Sequence, residues 1–218
     1  MIEITFIRHA DPDYKNDTIT ELGHQQAQAL AEHFKRTETT FTAIFASHFG
    51  RAQATMKYTA EALRMPWTIF NWLGEPDGRS IDGRWSWAIP RAEHLEKNIL
   101  FDAANWRTLT PYGENLFAIQ AERFAALNEF LAGYGLVYAG LRYRVMKAGS
   151  EHFAMFAHEG LIKVMLSALL HWPLPYVFAH LTCEPTGVTR LVWDEHESYA
   201  VPRAVAINAR VHLALKGG

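Results

Sequence analysis

The sequence predicts an α/β fold of three layers, in which helices cover both faces of a mostly parallel central sheet. Three observations predict it. Short β-branched runs alternate with amphipathic helical stretches in the order β-α-β-α-β over the first third of the chain. The 218 residues suffice for one well-filled domain. No repeat or low-complexity linker divides them, so we predict a single domain over residues 1–218.

The first five elements are read from hydrophobic periodicity and capping signals. Residues 2–7 alternate and are rich in β-branched side chains, which predicts a strand that ends at Arg8 and His9. Thr20 is a typical N-cap for a helix that runs to about residue 36. The apolar stripe of that helix has a period near 3.6 and comprises Leu22, Ala27, Leu30, Ala31 and Phe34. The next three elements are a strand over 41–46, a helix over 52–63 and a strand over 67–72.

The remaining elements include one irregular segment. Residues 74–111 mix Gly, Pro, Trp and charged residues, and we interpret them as an insertion over one end of the sheet. After this insertion the patterns predict two helices, a small hairpin, a buried strand and a late pair of strands. Their ranges are 114–131 and 161–170 for the helices, 136–146 for the hairpin, 152–157 for the buried strand, and 188–193 and 204–207 for the pair.

The composition limits the partners and the location of the protein. The net charge of -2 provides no global positive field for nucleic acid or an anionic membrane, so we expect neither as a partner. A single cysteine, Cys183, excludes an internal disulfide. The chain start lacks a signal-peptide pattern, and the apolar stretch 161–172 is too short to span a bilayer and contains Lys163. We therefore expect a cytoplasmic protein, with its oligomeric state left open.

Polar side chains follow three of the predicted strands. Arg8 and His9 end the first strand, Ser47 and Arg51 follow the second, and His158 follows the strand over 152–157. In open α/β sheets, reactive groups collect outside the carboxyl ends of the strands. Arginine binds phosphate oxygens in bidentate fashion, and histidine can attack phosphorus or donate to a phosphoryl oxygen. These residues therefore predict an anion pocket that contains a nucleophile.

Five segments carry a family resemblance. The residues Arg8-His9-Ala10 resemble the Arg-His-Gly signature of the histidine phosphatase superfamily, whose members have the phosphoglycerate-mutase-like fold. Four further segments match family motifs in the same order along nearly the whole chain. They are 22–27 (LGHQQA, similar to LTxxGxxQA), 47–55 (SHFGRAQAT, similar to SxxxRAxxT), 113–115 (GEN, similar to GES) and 157–160 (AHEG, similar to SHGG).

The resemblance implies a phosphoric monoester hydrolase of the histidine acid phosphatase type. It acts on a small phosphorylated substrate and needs no cofactor and no metal. His9 would be the nucleophile, and Arg8, Arg51 and His158 would hold the phosphoryl oxygens. Ser47 and Glu159 are further candidates for substrate contact. Two alternatives stay open: a phosphoglycerate-mutase-type phosphotransferase, and a phosphate-binding regulatory module without turnover.

The general acid for the leaving alkoxide is the least determined role. In the family this carboxylate lies in an LxE context after the third strand, and Glu75 in Trp72-Leu73-Gly74-Glu75 fits. Glu114 is the competitor, although a carboxylate at a helix start also has a structural explanation in the helix dipole. Asp77 and Asp82 are weaker candidates.

The sequence departs from the family pattern at three places. Ala10 replaces a glycine, and Glu159 replaces the glycine that follows the second histidine. This carboxylate could repel a dianion or contact a cationic part of the substrate. The stretch similar to Gly-Asp-Trp-Glu-Gly that usually follows the acid is not found after Glu75, which leaves the acid and the substrate contacts less defined than the nucleophile.

Other conspicuous residues have a structural and a functional interpretation. Four tryptophans could pack the insertion onto the sheet or form a wall against an aromatic leaving group: Trp72, Trp85, Trp87 and Trp106. Arg79, Arg84 and Arg91 could bind a polyanion, but solvated surface arginines are commoner. Three histidines fall on helical or polar stretches and are expected at the surface: His24, His33 and His94.

No spacing typical of metal ligands is found, nor a nucleotide-binding glycine motif.

Overall fold

A central sheet of eight strands is present in the computed structural model, which describes residues 1–98, 100–102 and 104–214. A separate two-stranded hairpin (β2 and β3) lies beside it. In chain order the strands are β1 (Ile2–Arg8), β2 (Pro12–Asp13), β3 (Thr18–Ile19), β4 (Ala43–Ala46), β5 (Trp67–Ile69), β6 (Leu136–Tyr138), β7 (Tyr143–Val145), β8 (His152–Ala157), β9 (Val188–His196) and β10 (Tyr199–Ala209).

The sheet has a parallel half and an antiparallel half. Its strand order is β5-β4-β8-β1-β9-β10-β7-β6, and the first four strands are parallel to one another. The remaining neighbours pair in antiparallel fashion. In the parallel half Arg8 is level with Ala157, and Ala46 with Phe156. The segments that follow β1, β4 and β8 therefore leave the sheet side by side, and the predicted α/β class with its mostly parallel core is confirmed.

Helices cover both faces of the sheet, as the sequence predicts. They are α1 (Glu21–Arg36), α2 (Gly50–Leu63), α3 (Trp106–Leu109), α4 (Glu114–Gly133), α5 (Glu159–Leu170), α6 (Leu174–His180) and α7 (Val211–Ala214). Because successive side chains of a strand point to opposite faces of the sheet, the strands contribute to a hydrophobic core on each face. Ile7, Ile44 and Phe156 pack with α1 and α2, whereas Phe6 and Phe153 pack with α4 and α5. No helix in the described ranges combines the length and the apolar character that a membrane crossing requires.

Several element boundaries differ from the predictions for local reasons. The Thr20 hydroxyl accepts from the Gly23 N–H at 3.1 Å and starts α1 as predicted, but Leu22 is exposed and does not belong to the buried stripe. Helix α2 starts at Gly50, so Arg51 lies in its first turn and not in the preceding loop. Strands β9 and β10 are longer than predicted because their hairpin extends beyond the core, where polar residues replace the apolar pattern.

The predicted insertion contains turns, two isolated β-bridges and short helices. Besides α3 these are 3₁₀ turns over Ser86–Ala88 and Arg91–Leu95, and another 3₁₀ turn over Asn71–Leu73 precedes the insertion. Its turn over Arg91–Leu95 packs against α6. The expected surface position of His94 is wrong: the ring is buried, with Nδ1 2.6 Å from the Tyr112 hydroxyl. Within the predicted domain range, residues 99, 103 and 215–218 lie outside the described residues.

Candidate active site

Three strand ends bring two histidines into contact. His9 follows β1, and its backbone N–H donates to the Ala157 carbonyl at 2.9 Å, at the end of β8. His158 is the next residue after β8, and the centroids of the two imidazole rings are 5.2 Å apart. Ser47 follows β4 and reaches the same place, with its hydroxyl oxygen 2.9 Å from His158 Nε2. The convergence predicted for the carboxyl ends of the parallel strands is therefore present.

The His9 ring is buried, oriented and uncharged. Only 1% of the residue is exposed, and its Nδ1 lies 2.7 Å from the Ala10 carbonyl oxygen. Because a carbonyl only accepts, Nδ1 carries the proton and Nε2 keeps its lone pair. Burial, reinforced by Arg8 and Arg51, lowers the pKa of His9 to about 3. The imidazole is therefore neutral at neutral pH, and its Nε2 keeps the lone pair that a nucleophile requires.

The loop after His9 is fixed to the first turns of α2. The Ala10 N–H donates to the Thr55 hydroxyl at 2.9 Å, and that hydroxyl donates to the Arg51 carbonyl at 2.8 Å. Ala10 is fully buried, so the methyl group that replaces the family's glycine is accommodated there. These two hydrogen bonds fix the position of the loop after His9 relative to α2.

Arg51 is held by a carboxylate that the sequence analysis did not single out. Its Nη1 lies 2.8 Å from Asp17 Oδ1, and the other Asp17 oxygen accepts from the Gly50 N–H at 2.7 Å. The guanidinium also lies 4.5 Å from the centre of the Phe49 ring. The turn between β2 and β3 places Asp17 there, and no local sequence signal relates it to α2, which begins 33 residues later.

Arg8 is held by a partly buried ion-pair network. Its Nη1 donates to the Cys183 carbonyl and lies 3.0 Å from Glu159 Oε2. The second Glu159 oxygen lies 2.7 Å from Lys163 Nζ, one helical turn further along α5. Lys163 is only 3% exposed. Glu159 thus lies beside the anion pocket as expected, but both of its oxygens are engaged by cations of the protein itself.

His158 is completely buried and uncharged. Burial, together with His9 and Arg51, lowers the pKa of His158 well below its ordinary value. Ser47 Oγ already accepts from the Phe49 N–H at 3.2 Å, so its own proton is available to His158 Nε2. In that arrangement the imidazole proton resides on Nδ1.

Three buried donors at this place have no hydrogen-bond partner within residues 1–98, 100–102 and 104–214. They are Arg8 Nε, Arg51 Nε and His158 Nδ1. A buried polar group without a partner is costly, and most such groups are satisfied in folded proteins. Two of these donors belong to cations, and each comes from a different element beside the His9 ring. We call this arrangement the receptor, because it has the donors and the positive charge that an anion with several oxygens would require.

Glu75 lines a cleft together with Arg51 of the receptor. Its Oε1 accepts from the Leu161 N–H at 3.2 Å, in the first turn of α5. A Cβ at Gly160 would come within 2.5 Å of the same oxygen, so glycine is required for this approach. Burial raises the pKa of Glu75 to about 7, although Arg51 and Arg8 oppose the shift.

The other acid candidates lie elsewhere. Glu114 is exposed in the first turn of α4, where the helix dipole favours a carboxylate. Asp82 is bound to Arg84 at 2.7 Å on the surface of the insertion. Asp77 lies at the rim with Glu75 but is exposed. Position and pKa therefore both favour Glu75 as a proton donor at neutral pH.

A cleft of about 510 Å³ opens outward from Arg51 and Glu75. Besides these two residues it is lined by Tyr14, Phe49, Pro76, Asp77, Trp85 and Trp87. The four tryptophans considered in the sequence thus have different surroundings. Trp72 and Trp106 pack with the core, Trp85 faces the cleft, and Trp87 both packs against the core and faces the cleft. No group of three or more His, Cys, Asp or Glu residues in the described ranges is arranged to hold a metal ion.

Comparison with protein families gives one match over most of the chain. The family model described as "Histidine phosphatase superfamily (branch 1)" matches residues 4–204. This range includes both histidines, both arginines and Glu75. No curated protein matches the chain.

Solved structures share the fold over nearly the whole chain. A mycobacterial glucosyl-3-phosphoglycerate phosphatase in complex with inorganic phosphate is 21% identical, with a TM-score of 0.65 over 96% of this chain and 98% of its own. An Entamoeba histolytica phosphoserine phosphatase in complex with 3-phosphoglyceric acid is 15% identical, with a TM-score of 0.65 over 98% and 100%. A protein described as mycobacterial hydrolase 1 is 21% identical, with a TM-score of 0.64 over 95% and 98%.

Proposed function

Because the chain belongs to the histidine phosphatase superfamily, we propose that it hydrolyses a small phosphomonoester through a phosphohistidine at His9. The observation that carries the proposal is the receptor beside His9: three buried donors without partners, next to a neutral imidazole whose Nε2 is free. The phosphatase activities named for the two similar structures agree with this assignment.

The first half of the reaction transfers the phosphoryl group to the enzyme. His9 Nε2 attacks phosphorus, and the bond from phosphorus to the ester oxygen breaks. The leaving alkoxide takes a proton from Glu75, which is protonated in about half of the molecules at pH 7 because its pKa is about 7. The products are phosphohistidine, an alcohol and the Glu75 carboxylate.

The receptor stabilises the charge that is spread over the three non-bridging oxygens. Arg8 and Arg51 supply two positive charges and the Nε donors, and His158 supplies Nδ1–H without adding a charge. Positioning and electrostatic stabilisation are the main catalytic effects in phosphoryl transfer. Asp17, Glu159 and Ser47 act by holding these donors in place.

The second half of the reaction regenerates the enzyme. A water molecule attacks phosphorus from the side that the alcohol has left, and its proton passes to the Glu75 carboxylate. The bond from phosphorus to His9 Nε2 breaks, and phosphate leaves. The buried ring favours the neutral leaving imidazole, since its pKa is lowered. A pKa of about 7 for Glu75 also agrees with an enzyme of the acid phosphatase type.

Turnover of 4-nitrophenyl phosphate between about pH 5 and 8 tests the proposal. We expect release by the native chain and a loss of at least about 10³-fold in His9→Ala, since nucleophile and receptor act as a unit. His180→Ala is the matched control, because His180 is exposed on α6. An acid-labile, base-stable phosphoprotein should form in the native chain and not in His9→Ala. Equal turnover of His9→Ala would contradict the proposal, and absence of turnover in all three proteins would favour a binding module.

A further inference from the structure

The cleft beside the receptor is walled mainly by aromatic rings. Tyr14, Phe49, Trp85 and Trp87 line it together with Pro76. These residues come from three separate segments: the β2–β3 turn, the loop before α2 and the insertion. The substrate's alcohol part must occupy this space, because the phosphoryl group is held at the inner end by Arg51 and its neighbours.

The rings are anchored to the receptor itself. Phe49 meets the His158 ring edge-on, with 5.1 Å between ring centroids. Trp87 packs against Gly160, where an added Cβ would come within 3.3 Å of the indole. Trp85 stacks on Trp87, with 5.0 Å between centroids and 25° between planes. The two indoles therefore form one stack that begins beside the reaction centre, and because Arg79 covers the other face of Trp85, the cleft meets the edges of the indoles.

The charges of the cleft do not suit a second anion. Arg51 is the one cation among the described residues that line it, and it is already paired with Asp17. The other charged groups in the wall are the carboxyl groups of Glu75 and Asp77. Arg79 lies nearby but stacks over the Trp85 ring at 3.2 Å, with its Nε 3.6 Å from Asp77. A carboxylate on the substrate would find no free cation there and would face Asp77.

We propose that the substrate's alcohol carries a flat aromatic ring system and neither a carboxylate nor a second phosphate. This inference rests on the proposed phosphatase function and defines its substrate class. The ring lies against the edges of the Trp85 and Trp87 indoles, in the edge-to-face arrangement that aromatic rings favour, and meets Phe49 or Tyr14 on the other side. Aromatic contacts add to the burial of apolar area, and negative charge beyond the phosphate is disfavoured by the acidic rim.

Three esters of primary alcohols test the proposal, because their leaving groups are of similar kind. They are 1-naphthylmethyl phosphate, cyclohexylmethyl phosphate and 3-phosphoglycerate. We expect kcat/KM for the naphthyl ester to exceed that for the cyclohexyl ester about threefold and that for 3-phosphoglycerate at least about tenfold. A preference for 3-phosphoglycerate would overturn the inference and leave the proposed function intact. Absence of His9-dependent release from all three would instead refute the proposed function.

Variants of the wall separate the aromatic contacts from other effects. In Trp87→Leu the ratio of kcat/KM for the naphthyl ester over the cyclohexyl ester should fall towards 1. Trp85→Leu, which removes the outer ring, should lower the same ratio and serves if Trp87→Leu does not fold. Trp67→Leu is the control, since Trp67 lies exposed on β5 away from the cleft, and its ratio should not change. Unchanged ratios in both cleft variants would overturn the inference.

A charge reversal at the rim gives an independent readout. Asp77→Lys replaces the exposed carboxylate by a cation, and it should raise kcat/KM for 3-phosphoglycerate relative to the naphthyl ester by about threefold or more. If this ratio stays the same, the role assigned to the Asp77 charge is contradicted.

Discussion

Replacing Glu75 by Gln should slow the enzyme in proportion to the basicity of the leaving group. The amide keeps the size of the side chain but has no acidic proton to transfer. A primary alcohol needs that proton, since an alkoxide is a very poor leaving group. A 4-nitrophenolate ion leaves without it. We therefore expect a loss of about 10²–10⁴-fold for an alkyl phosphate and less than about tenfold for 4-nitrophenyl phosphate.

The pH dependence follows from the pKa of about 7. Glu75 is about half protonated at pH 7 and about 1% protonated at pH 9, so the native enzyme should lose about 50-fold in alkyl phosphate hydrolysis over this range. His9 contributes no change there, because its pKa of about 3 lies far below. The loss above pH 7 should be absent from the residual activity of Glu75→Gln.

The assay compares kcat/KM for the two substrates from pH 5 to 9, as a ratio at each pH. Ionisation of the phosphate group affects both substrates and largely cancels in this ratio. Glu114→Gln is the matched control, since Glu114 is exposed at the start of α4, and it should behave as the native enzyme. Equal losses on both substrates in Glu75→Gln, or the selective loss in Glu114→Gln instead, would refute the reasoning.

Two further predictions concern stability. Glu159→Gln leaves Lys163 buried without its carboxylate and should lower the free energy of unfolding by about 2–4 kcal/mol, measured by urea titration. The double variant, Glu159→Gln together with Lys163→Met, should regain much of the lost free energy of unfolding. If the losses of the two single changes simply add in the double variant, the pairing is contradicted. Buried histidines whose pKa is lowered in the folded state are His9, His94, His158 and His212. Because the unfolded chain binds their protons below about pH 6.5, stability should fall between pH 6.5 and 4 by about 1 kcal/mol per histidine and pH unit. Glu75, whose pKa is raised in the folded state, takes up one proton in the folded chain and offsets part of this loss. A free energy of unfolding that does not change with pH would contradict the burial of these rings.

The reaction centre could be predicted because its residues follow strands with clear hydrophobic patterns. Arg8, His9 and His158 each come directly after a buried, β-branched or aromatic run, and parallel strands align such ends at one edge. The five ordered motifs added the family. The three-layer fold was predictable for the same reason, since local periodicity decides most of its elements.

The supporting residues could not be predicted, because their partners are distant in sequence. Asp17 meets Arg51 across 34 positions, and the Leu161 N–H meets Glu75 across 86. Nothing in local composition distinguishes such contacts from solvated surface residues. Lys163 is different: its spacing of four residues from Glu159 on a helix is a recognised pairing signal that could have resolved the role of Glu159.

The insertion resisted prediction because it lacks periodicity. Trp85 and Trp87 alternate with small and polar residues, and only tertiary contacts decide that they face the cleft while Trp106 is buried. His94 was misplaced for the same reason. Glu93, Glu96 and Lys97 lie close to it in sequence, but its ring stacks on Phe178 of α6 at 5.3 Å.

The hydrogen bond between Glu75 and the Leu161 N–H joins the insertion to the helix that begins beside His158. In the proposed cycle Glu75 changes from a neutral acid to an anion and back. When it is an anion, it lies at the positive end of the α5 dipole and accepts from a backbone N–H that has no partner inside that helix. The phosphorylated enzyme should therefore hold the insertion more tightly than the free enzyme does. The alcohol would then leave, and water enter, through a cleft whose rigidity depends on the progress of the reaction.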